Sequence, residues 1–339
     1  MTRQFAAGRR LGLIGLALTS LVAQSLSAGA QQAEPFYKGK TVSVIMPFAS
    51  GGGYDFYARL VARHLGKHLP GTPAVIVRYM PGAGGLTALN HMFTLAVADG
   101  TVLAIPPADI VLNEALRAPG VEYKVAGFNW IGRISDSAAI TVTWHTSKVA
   151  SIDDAKRTET VLAGAEAGAP SSENPRVLNR VVGTKFKIVG GYRSASEMLL
   201  AMERGEVNGA YTSWSNIKAT KAHWLRDKLI SILVVYNGSR SPEMPDVPAM
   251  TELGASEQDR QTLMLYASNG EIGKSLIAPP AVPPQRLAEL RTAFDAMVKD
   301  PALLAEIDTA KADFGPLSAG PLQEIIGRIK APSDTANLR

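Results

Sequence analysis

From residue 41 onward, short apolar runs alternate with amphipathic stretches. TVSVIMPF at 41–48 is β-branched and ends in proline followed by glycine, the pattern of a buried strand. Residues 54–69 carry Tyr57, Leu60, Val61, His64, Leu65 and His68 at helical spacing, and Pro70-Gly71 stops them. AVIVRYM (74–80) predicts a second strand, 86–97 a second helix and TVLAI (101–105) a third strand. Short turns between β-α-β-α-β elements argue for a parallel sheet covered by helices. The pattern then repeats. Strands are expected at AITVTW (139–144), TVLAGA (160–165), FKIVG (186–190), VNGAY (207–211) and LISILVVY (229–236), with helices at 152–157, 174–182 and 195–204. FNWIG at 128–132 separates the halves, 237–248 reads as a proline-rich return connection, and a helix follows the APPAVPP turn at 285–299.

The first thirty residues stand apart. Arg3, Arg9 and Arg10 precede an apolar run from Leu11 to Leu26, then Ala28-Gly29-Ala30, the three parts of a signal peptide cut after Ala30. Removing it takes away three arginines and no acid, leaving 32 basic against 30 acidic residues, +2 rather than +5. No basic stripe with interleaved aromatics remains, so nucleic acid is not expected as a partner. The chain has no cysteine, and its 46% hydrophobic content must hold it together without disulfides. A large disulfide-free exported domain suits a bacterial periplasm.

Two glycine-rich turns, PFASGGGYD (47–55) and PGAGG (81–85), sit directly behind the first two strands. Each feeds a helix whose first N–H groups are unpaired at the positive end of the dipole, so a phosphate, a carboxylate or a plain tight turn all fit. GAGGLT lacks the last glycine of GxGxxG, and no GxxxxGK[ST] occurs, which weakens a nucleotide reading. The carboxyl ends of strands in open α/β sheets are where ligands bind.

PFASGGGYDFYARLVARHLGKHLPG, VRYMPGAGGLTALN and ADGTVLAI resemble the solute-binding receptors of tripartite tricarboxylate transporters, the Bug-type receptors. The likeness continues through KFKIVGGYRSASEMLLAMERGEVNGAYTSW, PEMPDVPAMTELG and APPAVPPQRLAELRTAF. It implies an α/β, two-lobed type II periplasmic binding fold (a Venus flytrap), each lobe a sheet flanked by helices, with two crossings between lobes. Lobe 1 would comprise 31–134 plus 237–339, and lobe 2 135–236. The resemblance implies a monomeric periplasmic receptor without cofactor or metal, holding a small organic carboxylate and delivering it to a membrane permease. It assigns ligand contacts to Phe48, Ala49, Ser50, Gly51, Gly52 and Gly53, and to Gly82, Ala83, Gly84 and Gly85. In the second lobe it points to the 164–168 loop with Ala165 and Glu166, to Tyr192 with Ser194, and to the 211–214 segment with Ser213 and Trp214. Asp55 matches the family aspartate, but an acid in a first helical turn also complements the dipole, by about 0.3–1 kcal/mol. Tyr192 and Trp214 equally suit a core, and Ser194 a helix cap.

An enzyme reading finds little support. His64 and His68 lie four apart without an HExxH glutamate, and two histidines on a helix's solvent edge explain them as well. There is no GxSxG elbow and no cysteine nucleophile. Presentation of ligand to a membrane sensor kinase would use the same fold. Glu166 replaces the serine- and threonine-rich loop common in the family. Beside a plain dicarboxylate it would cost roughly 4 kcal/mol at about 4 Å and an effective dielectric near 20. It therefore turns to solvent, is protonated, or meets an amine on an amino-acid-like ligand.

Overall fold

A computed structural model describes residues 34–329 except 137, 167 and 168, so the leader expected at 1–30 lies outside the described residues. β1 (Thr41–Met46), α1 (Gly52–His64), β2 (Ala74–Tyr79), α2 (Leu86–Thr94), β3 (Val102–Ala104) and α3 (Ile110–Ala115) follow in order, then β4 (Asn129–Ser135). A second sheet begins with β5 (Ala139–Trp144), α4 (Ile152–Arg157), β6 (Thr160–Ala163) and α5 (Pro170–Val182). It continues through β7 (Phe186–Val189), α6 (Ala195–Glu203), β8 (Gly209–Ser213), α7 (Trp214–Thr220), α8 (Ala222–Arg226) and β9 (Ile230–Val235). α9 (Glu257–Ile272) leads back to β10 (Lys274–Ala278), α10 (Pro284–Met297), α11 (Pro301–Ala310), β11 (Leu317–Ser318) and α12 (Ala319–Arg328). The six-stranded sheet has the order β11-β4-β10-β3-β1-β2 and the five-stranded sheet β7-β6-β8-β5-β9, so the chain crosses between them twice.

Both sheets are mixed rather than purely parallel. β1 is parallel to β2 and β3, and β6 to β7 and β8, as crossover helices require. β10 is antiparallel to β3 and β4, and β5 to β8 and β9. These two strands enter their sheets from the other lobe. They start at the edge where the helix-connected strands end, so they must run the opposite way. The segment 128–132, expected as a separator, supplies β4 inside the first sheet, with Trp130 and Ile131 buried.

Each sheet is covered on both faces. Val42, Val44 and Met46 of β1 pack with Tyr57 and Leu60 of α1, Phe294 of α10 and Leu303 of α11. Ile45, pointing the other way, joins Leu89 of α2, Ile110 of α3 and Leu322 of α12. In the second lobe, Leu162 and Leu233 face Val177 and Leu178 of α5, while Val142 and Ala163 face Met198 of α6 and Trp224 of α8. Burying each such aliphatic or aromatic side chain contributes about 1.5–3 kcal/mol. α9 places Leu265 and Ile272 in the first lobe's core, and Leu263, Tyr266 and Ala267 in the second's. It is the element that ties the lobes together. Having no solvent face over much of its length, it lacks the single apolar stripe by which helices are read from sequence.

Two further expectations change. α1 ends at His64, and a tighter turn at Gly66–His68 replaces its last predicted turn. His64 is buried rather than on a solvent edge, with Nε2 2.8 Å from Glu306 Oε1, and His68 Nε2 lies 2.9 Å from Asp300 Oδ2. The two rings fasten α1 and its turn to α11. Among the described residues no group of three or more His, Cys, Asp or Glu is arranged to hold a metal.

Candidate functional site

Because β1, β2 and β3 are parallel, the loops that follow them share one edge of the first sheet. The second loop turns sharply. Gly82, Ala83, Gly84 and Gly85 have φ of 152°, 46°, 64° and 101° in succession. Glycine takes such values without strain, and the 101° of Gly85 is open to little else. A side chain at Gly85 would also run into Pro107, whereas one at Gly84 would meet nothing within 4 Å. Gly85 thus packs the second loop onto the third, and Gly84 presents bare backbone outward. In the first loop the Gly51 N–H donates to Asp55 Oδ2 at 2.9 Å, which ties the loop to the start of α1.

A cavity of about 630 Å³ lies where this edge faces the second sheet, a size usual for small-molecule sites. Phe48, Tyr54, Gly84 and Pro107 to Asp109 wall it from the first lobe. Ala139, Glu166, Pro170, Asn174, Tyr211 and Tyr236 wall it from the second, and Tyr266, Asn269 and Gly270 of α9 close the back. Phe48 and Tyr54 meet edge to face with centroids 4.9 Å apart, and Tyr211 lies 5.2 Å from Tyr236.

The polar groups of the wall are chiefly hydroxyls, amides and carboxylates. Tyr54 OH accepts the Ala108 N–H at 3.0 Å, leaving its own proton directed elsewhere. Tyr236 OH shares a 2.7 Å hydrogen bond with Thr141 Oγ1, and Asn174 Nδ2 donates to Tyr211 OH at 3.5 Å. Burial pushes the hydroxyls of Tyr54, Tyr211 and Tyr236 well above their ordinary range, so they remain protonated donors. Asp109 stands at the start of α3 but makes no capping bond. Its Oδ1 and Asn269 Oδ1 are buried without a hydrogen-bond partner among the described residues. Burial raises the Asp109 carboxyl above the usual carboxylate range, against a smaller lowering by Asn113. The wall includes no Lys, Arg or His among the described residues. Lys274 lies behind it, 5.3 Å from the Tyr54 ring centroid and 5.9 Å from that of Tyr57. Burial lowers its pKa, while Asp313 and Asp136 act in the opposite sense.

Of the residues the sequence pointed to, Phe48, Gly84, Glu166 and, from the 211–214 segment, Tyr211 line the cavity, with Glu166 at the same time exposed to solvent. Ala49, Ser50 and Gly51 are exposed on the first loop, Gly52 opens α1 with the exposed Gly53 behind it, and Gly82 and Ala83 are exposed before the buried Gly85. Asp55 is buried and its oxygens are occupied within the lobe. It accepts from Gly51 N at 2.9 Å, Arg59 Nε at 3.0 Å and Tyr79 OH at 2.6 Å. Ala165 is held by Ser171 and Ser172, at 3.0 Å each, and residues 167 and 168 of its loop lie outside the described set. Tyr192 packs against the second lobe's core, and Ser194 caps α6 by accepting the Glu197 N–H at 3.2 Å. Ser213 caps α7 through Asn216 N at 3.2 Å, and Trp214 Nε1 donates to Glu243 Oε2 at 3.0 Å. None of these last residues lines the cavity.

Sequence reasoning missed the third loop, Pro107 to Asp109. Its position after TVLAI was a usable signal, because the argument that brought the first two loops to the ligand edge applies equally to the third. Asn174, Tyr266 and Asn269 carry no local signal, since they sit inside helices whose facing only packing decides.

Residues 57–325 match the tripartite tricarboxylate transporter family receptor. Protein BugT of Bordetella pertussis is 27% identical over 258 residues, covering 74% of this chain and 75% of that protein. A TctC solute-binding protein from Polaromonas, solved without ligand, superposes with a TM-score of 0.67 at 18% identity, over 88% of this chain and 96% of that one. R. palustris Rpa4515, solved with adipate, superposes with a TM-score of 0.57 at 20% identity, over 88% and 96% of the two chains. At such identities the superpositions speak for the fold, a two-lobed periplasmic binding protein, while the match over most of the chain decides the family. This chain belongs to the Bug-type receptors of the tripartite tricarboxylate transporters.

Proposed function

We propose that the protein is a periplasmic receptor, exported by its leader, that captures a small organic carboxylate between its lobes. It would deliver that solute to a membrane transporter of the tripartite tricarboxylate type. The observation that carries this reading is the cavity between the two sheet edges, walled from both lobes and from α9. The adipate in Rpa4515 supports a carboxylate as the cargo. Donors for it are at hand in the backbone of the Gly84 turn and the tyrosine hydroxyls. Micromolar affinity needs about 8 kcal/mol, and hydrogen bonds to a charged group contribute roughly 1.5–3 kcal/mol each, so a few converging donors suffice.

Calorimetry of the purified protein with a panel of small mono- and dicarboxylates tests the reading. Saturable binding of one molecule per chain, with the acid recovered unchanged, is the expected result. Steady consumption of the acid would make the protein an enzyme, and silence across the panel would remove the carboxylate. A solute gripped from both lobes favours the closed state. Small-angle scattering should then show a smaller radius of gyration at saturation.

A further inference from the structure

We infer that the solute carries a cationic nitrogen as well as its carboxylate, and that Asp109 with Glu166 and the surrounding tyrosine rings receives that nitrogen. The inference rests on the receptor reading and narrows its substrate class. Its ground is a mismatch between the cavity and a plain acid. A dicarboxylate brings only acceptors, yet this wall already contributes two carboxylates, the half-buried Asp109 and the exposed Glu166, and no Lys, Arg or His among its described lining residues. Two acceptor atoms, Asp109 Oδ1 and Asn269 Oδ1, lack a donor among the described residues. Buried polar groups in native proteins are almost always paired, so orphan acceptors on residues of a ligand cavity, covered in this conformation, ask for a donor that reaches them as the lobes close on the solute.

The aromatic content points the same way. Phe48 and Tyr54 come from one lobe and the Tyr211 and Tyr236 pair, 5.2 Å apart, from the other. An ammonium over such ring faces is attracted by their quadrupoles. The nearby cation Lys274 lies against Tyr54 with Asp136 and Asp313 acting on it, so it does not offset the carboxylates of the wall. The two ends of the solute are thereby separated. Backbone and hydroxyl donors suit the carboxylate, and Asp109, Asn269 and Glu166 suit the nitrogen.

Matched pairs differing by one amine decide it: succinate with aspartate, adipate with 2-aminoadipate, and butyrate with 4-aminobutyrate, each titrated into the full-length mature protein. At least one amino member should bind ten times or more tighter than its partner. Asp109→Asn should then weaken that member tenfold or more, about 1.4 kcal/mol, and leave or improve the plain acid. Glu166→Gln serves as the second variant should Asp109→Asn fail to fold, with the same direction expected. Plain acids binding as tightly as their amino partners would overturn the inference and leave the carboxylate receptor standing. So would an equal loss for both members in each variant. If no member of any pair binds, the receptor reading falls and takes the inference with it.

Discussion

Asp55 and Asp109 are both acids at the start of a helix on the ligand edge of the first sheet, and they live in opposite circumstances. Asp55 accepts from a backbone amide, a guanidinium and a phenol, all within 3.0 Å. Its carboxyl is held below the usual range, first by the Tyr79 hydroxyl and then by the Gly51 amide and Arg59. Asp109 makes no cap bond and keeps one oxygen buried and unpartnered, and burial drives its carboxyl the other way. Both positions suit the helix dipole equally. What separates them is whether neighbours from other elements complete the acid's hydrogen bonds. A completed acid builds the loop, and on the inference drawn above an incomplete one is left to meet a solute.

The strongest way to break this contrast is to put a third acid on the same edge, deliberately without partners. Gly84→Asp would project into the cavity from a turn where a Cβ meets nothing, at a φ of 64° that aspartate tolerates better than most residues. Affinity for a carboxylate should fall at least about 100-fold through like-charge repulsion, while the melting temperature without ligand moves only a few degrees. A folded variant with unchanged affinity would move the site away from this turn.

Asp55→Ala tests the completed acid. It removes three hydrogen bonds to a charged group and leaves the Gly51 amide and Tyr79 hydroxyl to solvent. Urea denaturation should register a loss of about 3 kcal/mol, or roughly 6–10 °C in melting temperature. A loss under about 0.5 kcal/mol would show that water replaces these partners without penalty.

The smallest effect, in stability, comes from Asp109→Asn and sharpens the contrast through its sign. A carboxyl raised in the folded state costs stability above its folded pKa, and that cost disappears below its unfolded value of about 3.9. The variant should therefore be more stable than the parent by about 1 kcal/mol at pH 7, with the difference shrinking as pH falls to about 4. Asp55 has the opposite sign. Its contribution is present above about 3.9 and is lost as pH falls through its depressed folded value. Parallel pH series of Asp55→Asn and Asp109→Asn should diverge in this way. Curves of the same sign would refute the distinction.

Much of the fold was legible. β1 to β3 and their helices follow from the β-branched runs and the Gly and Pro stops around them, because crossover units are written locally. Trp130 and its strand were hidden because 128–132 is short and flanked by turn-like residues, and it becomes a strand only between β10 and β11. α9 was hidden for the reason that makes it useful. With Leu265 in one lobe's core and Leu263 and Tyr266 in the other's, its apolar positions mark no single face.

The site divides along the same line. Sequence alone marked the glycine turns, since glycine permits the positive φ found at Gly84 and Gly85, and it placed Glu166 directly after a strand. Tertiary structure decided which groups share a wall. It turned Tyr211, Tyr236, Asn174 and Asn269 toward Phe48 and Gly84, and it sent Ser194, Ser213 and Trp214 into caps and surface contacts. Conformational preference acts within a few residues and can be read there. Whether a polar atom is paired or orphaned depends on elements that are distant in the chain, as Asp55 is completed by Tyr79 while Asp109 Oδ1 finds no partner among the described residues.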